Sequence, residues 1–143
     1  MSLEEKRAWI MLVVTICAYT AYVSVILGRA AGGAPLAEVR YAATLLGSTG
    51  GAILASVVLH IAASIASPRG ADRKDQRDRE IHHFGEYIGQ SFVILGSTAA
   101  LGMAMAELRP FWIANTIYLA FVLSAILGSA AKLVAYRRGF QPW

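Results

Sequence analysis

Four long apolar runs, at 8–28, 41–66, 84–106 and 111–136, alternate with short polar stretches along the chain. Each exceeds the roughly 20 apolar residues a helix needs to cross the hydrocarbon core of a bilayer. None shows the strict alternation, in segments of about ten residues, that marks a membrane barrel. A helix also satisfies its backbone groups within one lone span, as lipid demands. The pattern therefore predicts an all-α membrane protein: one membrane domain over residues 1–143, folded as an antiparallel bundle of four transmembrane helices. The first run is too long for the apolar part of a cleavable signal peptide and is expected to stay as a helix.

The linkers are unequal. Residues 29–40 hold Gly32, Gly33 and Pro35 and read as a turn; Glu107-Leu108-Arg109-Pro110 reads as a tight hairpin. The only long polar segment is 67–83 (SPRGADRKDQRDREIHH). Pro68 and Gly70 should end the second helix. Asp72 can cap a new helix running unbroken into the third span. Lys74 with Asp78 and Asp75 with Arg79 have i,i+4 spacing on it.

Helices in lipid associate where small residues let backbones approach. The second span offers Gly47, Gly51 and Ala55; the third Gly85, Gly89, Gly96, Ala100 and Ala104; the fourth Ser124 and Gly128. The first has a polar stripe instead, Thr15, Tyr19 and Tyr22. The second, third and fourth helices are therefore expected to pack closest.

Composition agrees with the pattern. The hydrophobic share is 57% and the charged share 15%, against about 45–50% and 25% in soluble domains. Four spans leave no room for a soluble catalytic domain. Cys17 is the one cysteine, so it forms no intrachain disulfide and reads as a packing residue. The net charge of +4 sits where it bears on topology. With four spans, Lys6, Arg7, Arg69, Arg73, Lys74, Arg77, Arg79, Lys132, Arg137 and Arg138 share one side; only Arg29, Arg40 and Arg109 face the other. The excess of positive charge inside predicts that both termini and the 67–83 loop are cytoplasmic. Trp9, Tyr41, Trp112 and Tyr136 fall at span ends, as interfacial anchors do. The loop is too short and too balanced in charge for a nucleic-acid arm, so no direct contact with nucleic acid is expected.

Candidate chemistry gathers where the third span begins. Asp78, His82, Glu86 and Gln90 repeat every four residues and share one helical stripe. Imidazole and carboxylate at that spacing can meet a cation, and His82 changes charge near neutral pH. A solvated helix end at headgroup level is the plain alternative. His60 lies about 28 Å along the second span, near the same surface. It shares a row with Ser48, Ala52, Ser56 and Ser64. It reads as a hydrogen-bonded packing residue or a ligand, and a single histidine argues against a haem held between helices. Glu86 is the carboxylate nearest the membrane on this side. Lys132 snorkels towards the surface or pairs with Glu86 at matching depth. Asn115 reads as a helix–helix hydrogen bond.

Signatures of phosphate loops, nucleophile elbows, paired cysteines, dinucleotide folds and alcohol phosphotransferases are absent. No nucleophile–base pair stands out, so the chain reads as non-enzymatic and no cofactor is assigned.

Asp75-Gln-Arg-Asp-Arg-Glu-Ile81, Phe84-Gly-Glu-Tyr-Ile-Gly89, Phe111-Trp-Ile-Ala-Asn115 and Tyr136-Arg-Arg-Gly-Phe140 resemble a group of small four-span integral membrane proteins of actinobacteria and related bacteria. That group usually carries Asp-Glu-Arg-Asp-Arg-Glu-Ile in the loop; Gln76 stands here in place of the glutamate. The resemblance covers most of the chain and implies a multi-pass protein of the bacterial cytoplasmic membrane. Helix-turn-helix regulators often accompany such proteins, which implies a regulated membrane function.

Two functions are expected. The first is a homo-oligomeric bundle in the lipid bilayer that handles or senses an ion or small molecule through His60, Asp78, His82, Glu86 and Gln90. The alternative is a membrane-anchored interaction protein whose loop residues Arg73, Arg77, Asp78 and Arg79 bind a soluble cytoplasmic regulator.

Overall fold

The computed structural model describes residues 3–66 and 76–138. Asp72, Arg73 and the partners Lys74 and Asp75 of the anticipated helix pairs lie outside them. Four helices fill the described chain: α1 (Leu3–Ala30), α2 (Ala42–Ile65), α3 (Gln76–Met105) and α4 (Pro110–Arg138). All four are long and apolar enough to cross a membrane. This is the fold of a multi-pass membrane protein.

Helices α1, α3 and α4 extend beyond their apolar runs because their polar flanks favour helix, while α2 keeps within its own. Glu4 and Glu5 occupy the first turn of α1, and Arg29 and Arg137–Arg138 the last turns of α1 and α4, signs that oppose the helix dipole. The anticipated continuation of the polar loop into the third span is present from Gln76 onwards.

The short connections have definite chemistry. Between α1 and α2, Gly33 takes a positive φ of 92° and Leu36–Glu38 forms one 3-10 turn. The α3–α4 hairpin turns on Glu107, whose φ is 53°. Its N–H bonds Ala104 O at 3.1 Å while Leu108 N–H bonds Met103 O at 3.0 Å. That pair closes the last carbonyls of α3 with a left-handed residue. Pro110 then opens α4, where its missing N–H costs nothing.

Packing sets α1 and α4 in the middle, with α2 against α1 and α3 against α4. The α3–α4 contact is the most extensive, and α2 makes no substantial contact with α3. The small-residue expectation therefore holds for one pair and fails for the other. A Cβ on Gly89 would lie 2.9 Å from Ser124 Oγ, one on Gly85 2.7 Å from Gly128 O, and one on Gly96 would collide with Ala120 Cβ. On α2, nothing lies within 4 Å of a Cβ at Gly47 or Gly51, and no residue is buried.

The half-buried row of α2 is Ser48, Ala52, Ser56, His60 and Ser64. Polar groups decide its facing: turned towards lipid they would cost more than glycines would. Ser48 Oγ donates to Ala18 O at 3.0 Å and meets the Tyr118 hydroxyl at 2.7 Å.

At the end of the molecule near the α3–α4 hairpin, the core is aromatic. Tyr22, Ile26, Val39, Phe111, Tyr118 and Val122 form one buried cluster. Tyr19, Tyr22 and Tyr118 stack edge and face within 6.5 Å. Tyr22 OH donates to Asn115 Oδ1 at 2.7 Å, and Asn115 Nδ2 to Phe111 O at 2.8 Å. Asn115 thus makes the interhelical bond expected of it, and the hydroxyls of Tyr22 and Tyr118 each have a partner.

Candidate functional site

The opposite end is open. Because α2 and α3 do not meet, a cavity of about 880 Å³ remains between the helices, with walls from all four. His60, His82, Glu86 and Gln90 line it. Asp78 stands beside it: its Oδ1 accepts from the hydroxyl of Tyr136, itself a lining residue, at 3.0 Å. The stripe read from sequence thus lies along one wall, and His60 reaches the same space from α2.

Lys132 organises that wall. Its ammonium donates to Glu86 Oε1 at 2.8 Å and to His82 Nδ1 at 3.2 Å. His82 Nε2 stands 3.9 Å from the same Glu86 oxygen. Lys132 does not snorkel outward; the pairing with Glu86 is the arrangement formed. Gly85 makes room for it, since a Cβ there would lie 2.5 Å from Lys132 Cγ and Cε.

The α1 wall carries a second charged group. Arg7 Nη1 bonds Glu4 Oε1 at 2.8 Å, and Nη2 bonds Ser64 Oγ at 3.1 Å. Ser64 in turn donates to His60 O at 2.9 Å. Arg7 Nε is buried and has no hydrogen-bond partner among the described residues. Further along, Met11, Val93, Phe121 and Ala125 make the lining apolar. Ser124 and the buried Ser129 add hydroxyls.

Sequence reasoning missed Arg7, Glu4, Ser129 and Tyr136 as parts of this site. In the sequence Arg7 reads as part of the topology signal and Tyr136 as an interfacial anchor. A Glu–Arg pair at i,i+3 before a span was the one available hint for Glu4 and Arg7. No group of three or more His, Cys, Asp or Glu residues suited to a metal occurs among the described residues. The Lys132 ammonium instead occupies the place on Glu86 and His82 where the stripe would have held a cation. Of the loop residues assigned to a soluble partner, Arg77 and Arg79 are exposed at the start of α3, Asp78 is engaged by Tyr136, and Arg73 is outside the described residues.

The arrangement can hold a molecule with a charged end and an apolar body: exchangeable ion pairs near the mouth, hydrocarbon deeper in. No protein-family model, curated protein or solved structure matches the chain.

Proposed function

We propose that the chain is a small protein of the bacterial cytoplasmic membrane that binds an ion or small molecule, without chemistry on it, in the charged cavity between its four helices. The observation that carries this is convergence. His82, Glu86 and Gln90, singled out by their spacing, and His60, singled out by its depth in the second span, line a single cavity of a size usual for small-molecule sites. Ionisable groups within membrane helices mark functional sites by default, because their insertion is costly.

An antiparallel bundle with cytoplasmic termini goes with this reading. It is supported by the pairing of Arg7 with Ser64, Tyr22 with Asn115, and Glu86 with Lys132, and by the crowding of Lys and Arg on one side. The cavity mouth then opens to the cytoplasm. The resemblance of the 75–81 loop to actinobacterial four-span proteins supports the bacterial address. Association with further copies is favoured by the small residues of α2, Gly47 and Gly51, which face outward with nothing against them.

Thermal stabilisation of the protein in nanodiscs, read across a panel of metal ions and charged amphiphiles, tests the function. At least one class should raise the melting temperature. Ala125→Phe, which fills the cavity, should abolish the rise, and His60→Ala and Glu86→Gln should each shift the affinity. A stabilisation that survives Ala125→Phe would place binding elsewhere. The exposure of Arg77 and Arg79 favours a second reading, a soluble partner at the start of α3. Retention of the same partners by Arg77→Ala/Arg79→Ala in a pull-down would remove it.

A further inference from the structure

The lining carries as many fixed negative as fixed positive side chains: Glu4 and Glu86 against Arg7 and Lys132. Net charge therefore does not choose the ligand. What chooses it is which charges can move.

Lys132 is held. Its side chain is 17% exposed, and its stem occupies the space that a Cβ at residue 85 would need. Its partner Glu86 is 63% exposed, so water can solvate that carboxylate as soon as it lets go. An incoming anion needs only to push Glu86 aside. An incoming cation would have to compete with an ammonium that cannot leave the wall without rearranging it. Arg7 points the same way. Its two terminal nitrogens are tied to Glu4 and Ser64, while its buried Nε has no acceptor among the described residues. Among the described residues, the buried side-chain atom on this lining left without a partner is a donor, and no buried carboxylate oxygen is in that position. An unmet buried donor is costly, and a turn of the guanidinium towards the cavity would bring that nitrogen to an incoming acceptor.

We propose that the cavity takes an organic anion, with a phosphate or carboxylate head held by Lys132 and Arg7 and an apolar body against Met11, Val93 and Phe121. This rests on the reading of the cavity as a binding site and adds the sign of its ligand. The head exchanges for Glu86 on Lys132, so Glu86 is a competing counter-ion and not a ligand-binding group. The same headgroup chemistry belongs to a membrane lipid and to a water-borne acid.

Titration calorimetry on the protein in phosphatidylcholine nanodiscs tests this, with dodecyl phosphate, butyl phosphate and dodecyltrimethylammonium as probes. Dodecyl phosphate should bind at least about tenfold more tightly than dodecyltrimethylammonium, the size of one charge-assisted contact, and at least about tenfold more tightly than butyl phosphate, whose shorter chain buries less apolar surface. Lys132→Gln should weaken it about tenfold or more, Lys132→Arg should retain most of it, and Glu86→Gln should tighten it. The last sign separates the proposal from a merely structural salt bridge, whose loss tightens nothing. Competition by phosphatidic acid placed in the nanodisc identifies a lipid source, and competition by inorganic phosphate a water-borne one; either supports the anion. If dodecyltrimethylammonium binds as well or better and Glu86→Gln abolishes binding, the anion is wrong while the cavity remains a site. If none of the probes binds with an effect sensitive to Ala125→Phe, the anion proposal falls; if metal ions also fail, the site reading falls with it.

Discussion

The two outer helices, α2 and α3, carry nearly the same signature and meet opposite fates. Both place small residues at four-residue spacing. On α3 those residues are pressed into α4, to distances where a single added carbon would collide. On α2 they face outward with nothing within 4 Å. The difference comes from what else each helix carries. The α2 row of Ser48, Ser56, His60 and Ser64 competes for the inward face and takes it. A stripe of glycines permits close approach; polar groups that need a partner decide whether it happens. The looseness of α2 is also what keeps the cavity, because a helix drawn in against α3 would close it.

The sharpest way to break this comparison is to enlarge the glycines. Gly89→Leu and Gly96→Leu should each cost about 3 kcal/mol or more by overpacking the α3–α4 contact. Gly51→Leu on α2 should leave stability within about 0.5 kcal/mol. Steric trapping or thermal melting in detergent measures both, and equal losses on the two helices would end the distinction. Next in size is Gly85→Ala. Its Cβ meets both the Lys132 stem and Gly128 O, so about 1–3 kcal/mol should be lost and Lys132 should be displaced from Glu86. A melt of Gly85→Ala against Lys132→Gln separates backbone crowding from loss of the ion pair, since only the former should lower stability strongly.

A smaller effect is expected where α2 is anchored. Ser48→Ala removes the bonds to Ala18 O and Tyr118 OH and should cost about 1 kcal/mol, the usual scale for hydrogen bonds within membrane proteins. Ala52→Ser, one turn on and lacking such partners, is the control that should gain nothing. The smallest effect belongs to the hairpin ending α3. Glu107 holds a left-handed conformation that glycine adopts without strain. Glu107→Gly should therefore leave stability unchanged or raise it by about 0.5 kcal/mol, visible as a melting temperature that does not fall.

Much of the fold was legible because the bilayer allows few solutions. Apolar runs of sufficient length define the helices, and Gly33 and the Glu107–Pro110 turn mark the short connections between them. The α3–α4 contact was readable too, since small residues on both partners face each other there. The placement of α2 was not. Its glycine row and its serine–histidine row are separate stripes on one helix, and only tertiary contact shows which turns in. For the site, the four-residue spacing brought out His82, Glu86 and Gln90 on one wall and Asp78 beside it. Glu4, Arg7 and Tyr136 escaped because residues near span ends have ready explanations as topology signals and anchors, whereas the pairing of Lys132 with Glu86 was open to view from their matching depth. Their convergence depends on how helices distant in sequence are set side by side.

The molecule sets a water-accessible charged cavity at one end against a packed aromatic core at the other. Cysteine labelling in a Cys17→Ser background tests this contrast directly. A membrane-impermeant thiol reagent applied from the side carrying Arg77 and Arg79 should modify Ala125→Cys, on the cavity wall, and dodecyl phosphate should slow that reaction. Tyr118→Cys, within the aromatic cluster, should stay unmodified. Equal protection of both positions, or labelling of Tyr118→Cys alone, would contradict the account.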